Sequence, residues 1–331
     1  VAASLHFHAG LFMPSQNTVG TRPDASHFTV APGDAAPSLR SFASMLLLAV
    51  IWGLSIPVTK LGLLMLPPLT LTALRFAIAV PLLMLLIMGR QRLPRRALPH
   101  VAALGALGIG VGQVAQTFGV AGTSASVGTI ISATIPVFIV VFAALRLKQS
   151  VSGRQQVGLL AAFVGIALVA LGQGEGTAGL FESSVTGAAW VLLSALTIAF
   201  YYVWSVELTD QYGTAAVAAW STLFGFIALL PWAGWEMWHV SIQITAEALW
   251  AAAYLGLVVT VAGLFMWLNI LRTIPVRIAA SVQYLQPVIG IAASSAMFGD
   301  RTGGLFAVGV VLILGGLALT MTSRRKADQT T

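Results

Sequence analysis

The chain has 331 residues, 58% of them hydrophobic and only 8% charged, whereas soluble domains carry roughly a quarter charged residues; a soluble globular protein is excluded and a polytopic membrane protein is indicated. A net charge of +7 points to nucleic acid only when it forms a basic face on a soluble domain, and here the cations lie between apolar spans, so no nucleic-acid partner is expected. Cysteine is absent, which excludes disulfides, thiolate metal sites and a cysteine nucleophile.

Residues 1–41 mix Pro, Ala and polar residues without helical periodicity and read as a disordered cytoplasmic tail. They lack the charged start and continuous apolar run of a signal peptide, so the first span is expected to insert as an uncleaved signal anchor. A hydrocarbon core of about 30 Å needs about 20 helical residues. Windows of that length fall at roughly 43–64 (helix 1), 69–88 (helix 2), 98–118 (helix 3), 124–146 (helix 4), 154–171 (helix 5), 186–206 (helix 6), 213–234 (helix 7), 247–271 (helix 8), 276–298 (helix 9) and 302–322 (helix 10). The expected fold class is an all-α membrane protein of ten transmembrane helices.

Lys and Arg concentrate in the cytoplasmic loops of membrane proteins. Arg22 and Arg40 precede helix 1; Arg90, Arg92, Arg95 and Arg96 follow helix 2; Arg146, Lys148 and Arg154 follow helix 4; Arg272 and Arg277 follow helix 8; Arg324, Arg325 and Lys326 follow helix 10. These segments share one side, so both termini are expected in the cytoplasm and the protein in the cytoplasmic membrane. The connection after helix 6 should share that side, yet it holds Glu207 and Asp210 without a cation. Acids weigh little in the rule.

A shift of 151 residues lays SATIPVFIVV over QYLQPVIGIA. It pairs Pro136 with Pro287, Gly105 with Gly256, Gly112 with Gly263, Gly153 with Gly304, Gly158 with Gly309 and Gly165 with Gly316. Five helices per half make the second half enter the membrane from the opposite side, an inverted-topology repeat; two such halves enclose a site near the midplane and expose it to each side in turn. The expected organisation is a tail (1–41), a first repeat (42–172), a connecting loop (173–185), a second repeat (186–322) and a basic tail (323–331).

The segment WGLSIPVTKLGLLMLPPLTLTALRFAIAVP, with Trp52-Gly53, Lys60 and Arg75, resembles the first-helix signature of the EamA-type drug/metabolite transporters. SASVGTIISATIPVFIVVFAALR and RIAASVQYLQPVIGIAASSAMFGD are similar to that family's two proline-centred helices. The resemblance covers about residues 42–322 and implies a ten-helix exporter of small organic solutes. The family often ends helices 4 and 9 with Gly-Glu; this chain has Gly299-Asp300 in the second copy and Lys148-Gln149 in the first.

Enzyme chemistry lacks material. The histidines His6, His8, His27, His100 and His239 lie in the tail or at predicted interfaces, no acid sits at a helix centre, and no phosphate-binding loop G-x-x-x-x-G-K-[ST] appears. No metal or cofactor is expected.

What remains is polar side chains in apolar helices. In helix 9, Ala279, Gln283, Gln286, Pro287, Gly290 and Ser294 share one stripe at helical spacing. This stripe is either glue between helices or the wall of a site. Pro287 lacks an N–H and leaves the carbonyl of Gln283 unbonded, and Pro136 does the same to Ser132; freed carbonyls at matching places in two repeats point to a transport site. Gly105, Ile109, Gly112 and Gln116 form a further stripe matched by Gly256, Thr260, Gly263 and Trp267, with Gln113 beside Gln116. Either glycine packing or a cavity explains them. Ser194, Thr197, Tyr201 and Ser205 of helix 6 and Trp52, Ser55 and Thr59 of helix 1 are similar stripes, while Tyr202 and Trp204 read as belt aromatics. Arg75 either snorkels or pairs with an anion such as a substrate carboxylate; Lys60, nearer its helix end, snorkels more easily.

The reading is a secondary transporter exporting small organic metabolites such as amino acids by alternating access. Gln283, Gln286, Gln116, Gln113 and Arg75 would bind the polar head, Trp267 and Tyr201 would cover an apolar side chain, and Pro136, Pro287 and Ser132 would form the hinges. Membrane lipids and a small-molecule substrate are the expected partners, and a monomer suffices because both halves lie on one chain. Without a midplane acid or histidine, direct proton coupling lacks its usual relay, which favours facilitated diffusion or exchange. A non-transporting scaffold or lipid-site protein is the alternative; it would need neither paired broken helices nor a polar midplane.

Overall fold

A computed structural model of the chain describes residues 39–89, 93–147, 152–171, 185–242, 244–273, 282–300 and 303–322, and the regular elements among them are helical. Eight helices are long and apolar enough to cross a membrane: Arg40–Leu63, Pro68–Ile87, Arg95–Ala121, Ala125–Arg146, Gly153–Leu171, Val185–Trp204, Thr214–His239 and Ala246–Ile270, which are helices 1 to 8. Val282–Phe298 (helix 9) and Gly304–Thr322 (helix 10) follow; their apolar stretches Leu285–Phe298 and Gly304–Leu319 are shorter. The chain is therefore a multi-pass membrane protein. The expected tails and the connecting loop lie largely outside the described residues. Helix 1 begins at Leu39, within the expected tail, and a short helix, Val206–Tyr212, extends helix 6.

Local chemistry sets several helix starts. Pro68 opens helix 2, where a missing N–H costs nothing. Ser124 and Thr245 cap helices 4 and 8, each side-chain oxygen accepting at 3.2 Å from Val127 N and Ala248 N. Exposed Trp232, Trp235 and Trp238 near the end of helix 7 and Trp250 near the start of helix 8 form an aromatic belt suited to a lipid interface.

The repeat is visible in the irregularities of the backbone. Helix 1 breaks at Leu54 and helix 6 at Ser205, 151 residues on. Helix 3 contains a π-helical segment, Gly105–Val111, and helix 8 contains another, Tyr254–Ala262, whose end is again 151 residues on. Helix 3 packs on helices 6 and 7, and helix 8 packs on helices 1 and 2. That exchange of partners is the contact pattern of two halves related by a twofold axis.

Helices 5 and 10 cross on the axis itself. A methyl built on Gly165 would lie 2.7 Å from the carbonyl oxygen of Gly309, and one built on Gly309 would lie 2.8 Å from that of Gly165. Gly316 faces Gly158 in the same way. Since Gly158 and Gly165 are the repeat partners of Gly309 and Gly316, each residue meets the partner of the other, the self-complementary contact of an isologous interface with the helices antiparallel. Gly165→Val is expected to destabilise the protein by about 1–3 kcal/mol through overpacking, read as a lowered melting temperature in detergent. Gly315→Ala, where an added methyl meets nothing within 4 Å, should stay within about 0.5 kcal/mol of the parent.

The proline hinges are not symmetric. Helix 4 breaks at Ala133–Thr134, ahead of Pro136. Pro136 is then the second residue of the segment Ile135–Leu147, where no intrahelical N–H is required. Thr134 closes the break by donating both N (3.0 Å) and Oγ1 (2.6 Å) to Ile131 O. Helix 9 runs unbroken with Pro287 inside it. The two prolines therefore sit in different backbone: Pro136 follows a break in helix 4, and Pro287 lies inside a continuous helical segment.

Candidate substrate site

The π segment of helix 8 organises a polar cluster between the two repeats. Its wider turn lets Thr260 Oγ1 donate to Leu255 O, five residues back, at 2.8 Å, and π turns recur at functional sites. Two adjacent residues of this segment receive side chains from the first repeat. Val259 O accepts from Trp52 Nε1 at 3.2 Å, and Thr260 Oγ1 accepts from Arg75 Nε at 3.1 Å.

Arg75 reaches across to helix 3 as well, where Nη1 donates to Gln113 Oε1 at 2.6 Å. A snorkelling anchor would turn away from such partners; Arg75 is instead held between helices 3 and 8 by two neutral groups. Gln113 stands on a braced turn: its carbonyl accepts from Thr117 Oγ1 at 2.8 Å, and Thr117 Oγ1 accepts from Thr72 Oγ1 of helix 2 at 2.9 Å. The guanidinium thus has its orientation fixed by two neutral groups on two helices, and its remaining N–H groups can address an anion.

Trp267 approaches Trp52 with ring centroids 5.8 Å apart, a range in which aromatic pairs attract. Tyr254 OH donates to Ile51 O at 3.1 Å and tethers the same stretch of helix 1. Gln286 is half-buried, and a methyl on Gly53 would lie 2.9 Å from its carbonyl oxygen, so helix 9 approaches helix 1 beside Trp52. Arg75, Gln113 and Trp267 of the expected set therefore gather around Trp52 and the helix 8 π turn, and the backbone of Gln286 passes beside Gly53. The side chain of Gln283 lies outside the described residues.

Other expected residues fall elsewhere. Tyr201 is buried in the packing of helix 6 on Gly108 of helix 3, apart from the Trp52–Trp267 pair. Gln116 is half-buried one turn beyond Gln113. The stripe from Gly105 to Gln116 is not one face, because the π segment rotates it: Gly105 and Gly110, five apart, meet helix 7 at Ser221 and Gly225, while Gly108 and Gly112 meet helix 6. Ser55 and Thr59 donate to Trp52 O and Ser55 O of their own helix. Ser132 lies beside the helix 4 break, away from this cluster in sequence and contact.

The ends of the bundle hold charges that the sequence reading underweighted. Lys60 does not snorkel. It is 3% exposed and donates to Val120 O (2.9 Å), Ala121 O (3.2 Å) and Thr123 O (2.7 Å) at the end of helix 3. Asp300 Oδ2 accepts from Ser126 N at 2.9 Å at the start of helix 4. Buried Glu236 caps helix 2 by accepting from Thr70 N (2.7 Å), Thr70 Oγ1 (2.8 Å) and Leu69 N (3.3 Å). At the other end, Arg146 pairs with Glu207 at 3.0 Å, donates to Val203 O and lies 5.1 Å over the Trp204 ring. The acidic helix 6–7 connection thus takes its cation from helix 4, and Trp204 belongs to this cluster rather than to a lipid belt.

A helical membrane bundle of two like halves, with an oriented guanidinium and a tryptophan pair where they meet, has the architecture of a membrane carrier. The EamA-like transporter family model matches residues 40–171 and again residues 185–322, and the chain belongs to that family. It is 22% identical over 286 residues to an uncharacterized transporter of Archaeoglobus fulgidus, covering 86% of this chain and 100% of the relative. It is 27% identical to a probable terminal-alkyne amino-acid exporter of Streptantibioticus cattleyicolor, covering 86% and 96%. A probable amino-acid metabolite efflux pump of Escherichia coli is 26% identical, covering 85% and 94%. A solved crystal structure shares the fold with a TM-score of 0.58 at 20% identity, over 88% of this chain and 99% of its own.

Proposed function

We propose that the protein is a secondary transporter exporting small organic metabolites, amino acids among them, across the cytoplasmic membrane by alternating access. Ten transmembrane helices in two inverted repeats, 42–172 and 186–322, would carry it, with both termini cytoplasmic. The observation that supports this most is the meeting of Arg75, Gln113, Trp52 and the helix 8 π turn, because it joins groups from both repeats around one oriented guanidinium. Arg75 is suited to a carboxylate, Trp52 with Trp267 to an apolar body, and the amides of helix 9 to the remaining polar groups. Relatives described as amino-acid exporters accord with a ligand that carries a carboxylate.

Uptake of candidate metabolites into inside-out vesicles tests the reading, with ligand-dependent thermal stabilisation selecting the metabolites to try. Gln283→Ala and Gln286→Ala are expected to lose at least about tenfold in transport rate, the scale of one lost polar contact to a charged ligand, while inserting normally. Undiminished uptake by both variants would remove helix 9 from the site.

A further inference from the structure

Among the described residues, Arg75 faces no acid. Its hydrogen-bond partners, Thr260 and Gln113, are uncharged, and the ion pair among the described residues is Arg146–Glu207 at a helix end. Of the ten acids in the chain, Glu207, Asp210, Glu236, Glu247 and Asp300 stand at helix ends, and the other five lie outside the apolar windows. Glu236 comes closest along helix 2. It binds the Leu69–Thr70 end, about 7.5 Å of helical rise below Arg75, with both oxygens engaged there. A charge inside a low-dielectric bundle is costly unless it is paired, and the described residues supply no charged partner in contact. The counter-charge must arrive with the ligand.

We infer that the transported species is a net organic monoanion, a carboxylate without a free ammonium group, and that the membrane potential drives its export. This rests on the transport reading above and replaces its amino-acid example with a carboxylate that lacks the ammonium group. A bound monoanion makes the site electroneutral, whereas a zwitterion leaves it at the charge of the empty carrier. No described span places an acid or histidine at its centre to relay protons, and none is needed. Whichever half of the cycle moves charge, one completed turnover carries one negative charge outward, and a cell interior negative by 100 mV favours that movement about 50-fold, the equivalent of about 2.3 kcal/mol per elementary charge.

The test reconstitutes the full chain in liposomes and sets the potential with a potassium gradient and valinomycin. Three probes share an apolar body matched to the Trp52–Trp267 pair and differ in charge: 3-phenylpropanoate, its amide and phenylalanine. The anion is expected to move toward the positive side above the flux of protein-free vesicles, to reverse with the sign of the potential and to carry a measurable current. Arg75→Gln should lose at least tenfold of the preference for the anion over the amide, in a variant first shown by size exclusion to be folded. Anion flux indifferent to the potential, or transport of phenylalanine or the amide in place of the anion, overturns the inference and leaves the transport reading standing. No flux of any probe above protein-free vesicles overturns both.

Discussion

Arg75→Lys is expected to raise the substrate concentration for half-maximal transport about 10- to 100-fold while leaving the charge of the site unchanged. The guanidinium donates simultaneously to Thr260 on helix 8 and Gln113 on helix 3, and its planar fork presents the remaining N–H groups in a fixed direction. A lysine ammonium is a point charge on a flexible stem and cannot hold both helices and a carboxylate with that geometry. Hydrogen bonds to charged groups contribute about 1.5–3 kcal/mol, and about 1.4 kcal/mol is a factor of ten, which gives the range. The converse substitution is sharper. Gln113→Glu would place a protein carboxylate where the amide oxygen now sits 2.6 Å from Nη1, neutralise Arg75 in place and compete with an anionic ligand. Initial-rate measurements on vesicles should show anion transport collapsing in Gln113→Glu and persisting at high substrate in Arg75→Lys. Unchanged kinetics in both would make Arg75 a structural tie between helices.

The difference between legible and illegible features has a physical basis. Apolar windows and the shift of 151 residues were readable because hydropathy and glycine or proline spacing are properties of the chain itself, and the breaks at Leu54 and Ser205 follow the same shift. The π segments were not readable from a fixed rotation of 100° per residue, so the Gly105–Gln116 stripe was assigned to one face. The five-residue spacing of Gly105 and Gly110 was the available signal. Arg75 was found, with its two partners on other helices undetermined, because pairing across helices depends on packing rather than local spacing. Lys60 is illegible for a related reason: a long side chain near a helix end reaches lipid headgroups or a neighbouring helix terminus equally well, and only the position of helix 3 decides between them.

That position makes Lys60→Met a strongly destabilising change, expected at about 1.5–3 kcal/mol, the scale of hydrogen bonds made by a charged group. The three carbonyls it serves, Val120 O, Ala121 O and Thr123 O, lie where helix 3 ends, so an ammonium there also meets the negative end of the helix dipole. Asp300 acts on Lys60 electrostatically and holds Ser126 N on the far side of the same turn. The two charges therefore grip the helix 3–4 turn from different repeats. Their partners under the shift of 151 residues are glutamines, Gln211 and Gln149, so the charged tie belongs to one end of the bundle. Because the grip is shared, the effects should not add: Lys60→Met combined with Asp300→Asn is expected to cost less than the sum of the single changes by about 0.5–3 kcal/mol, the usual coupling of residues in one network. Denaturation of the four proteins in detergent measures this coupling directly, and additive losses would confine Asp300 to capping helix 4.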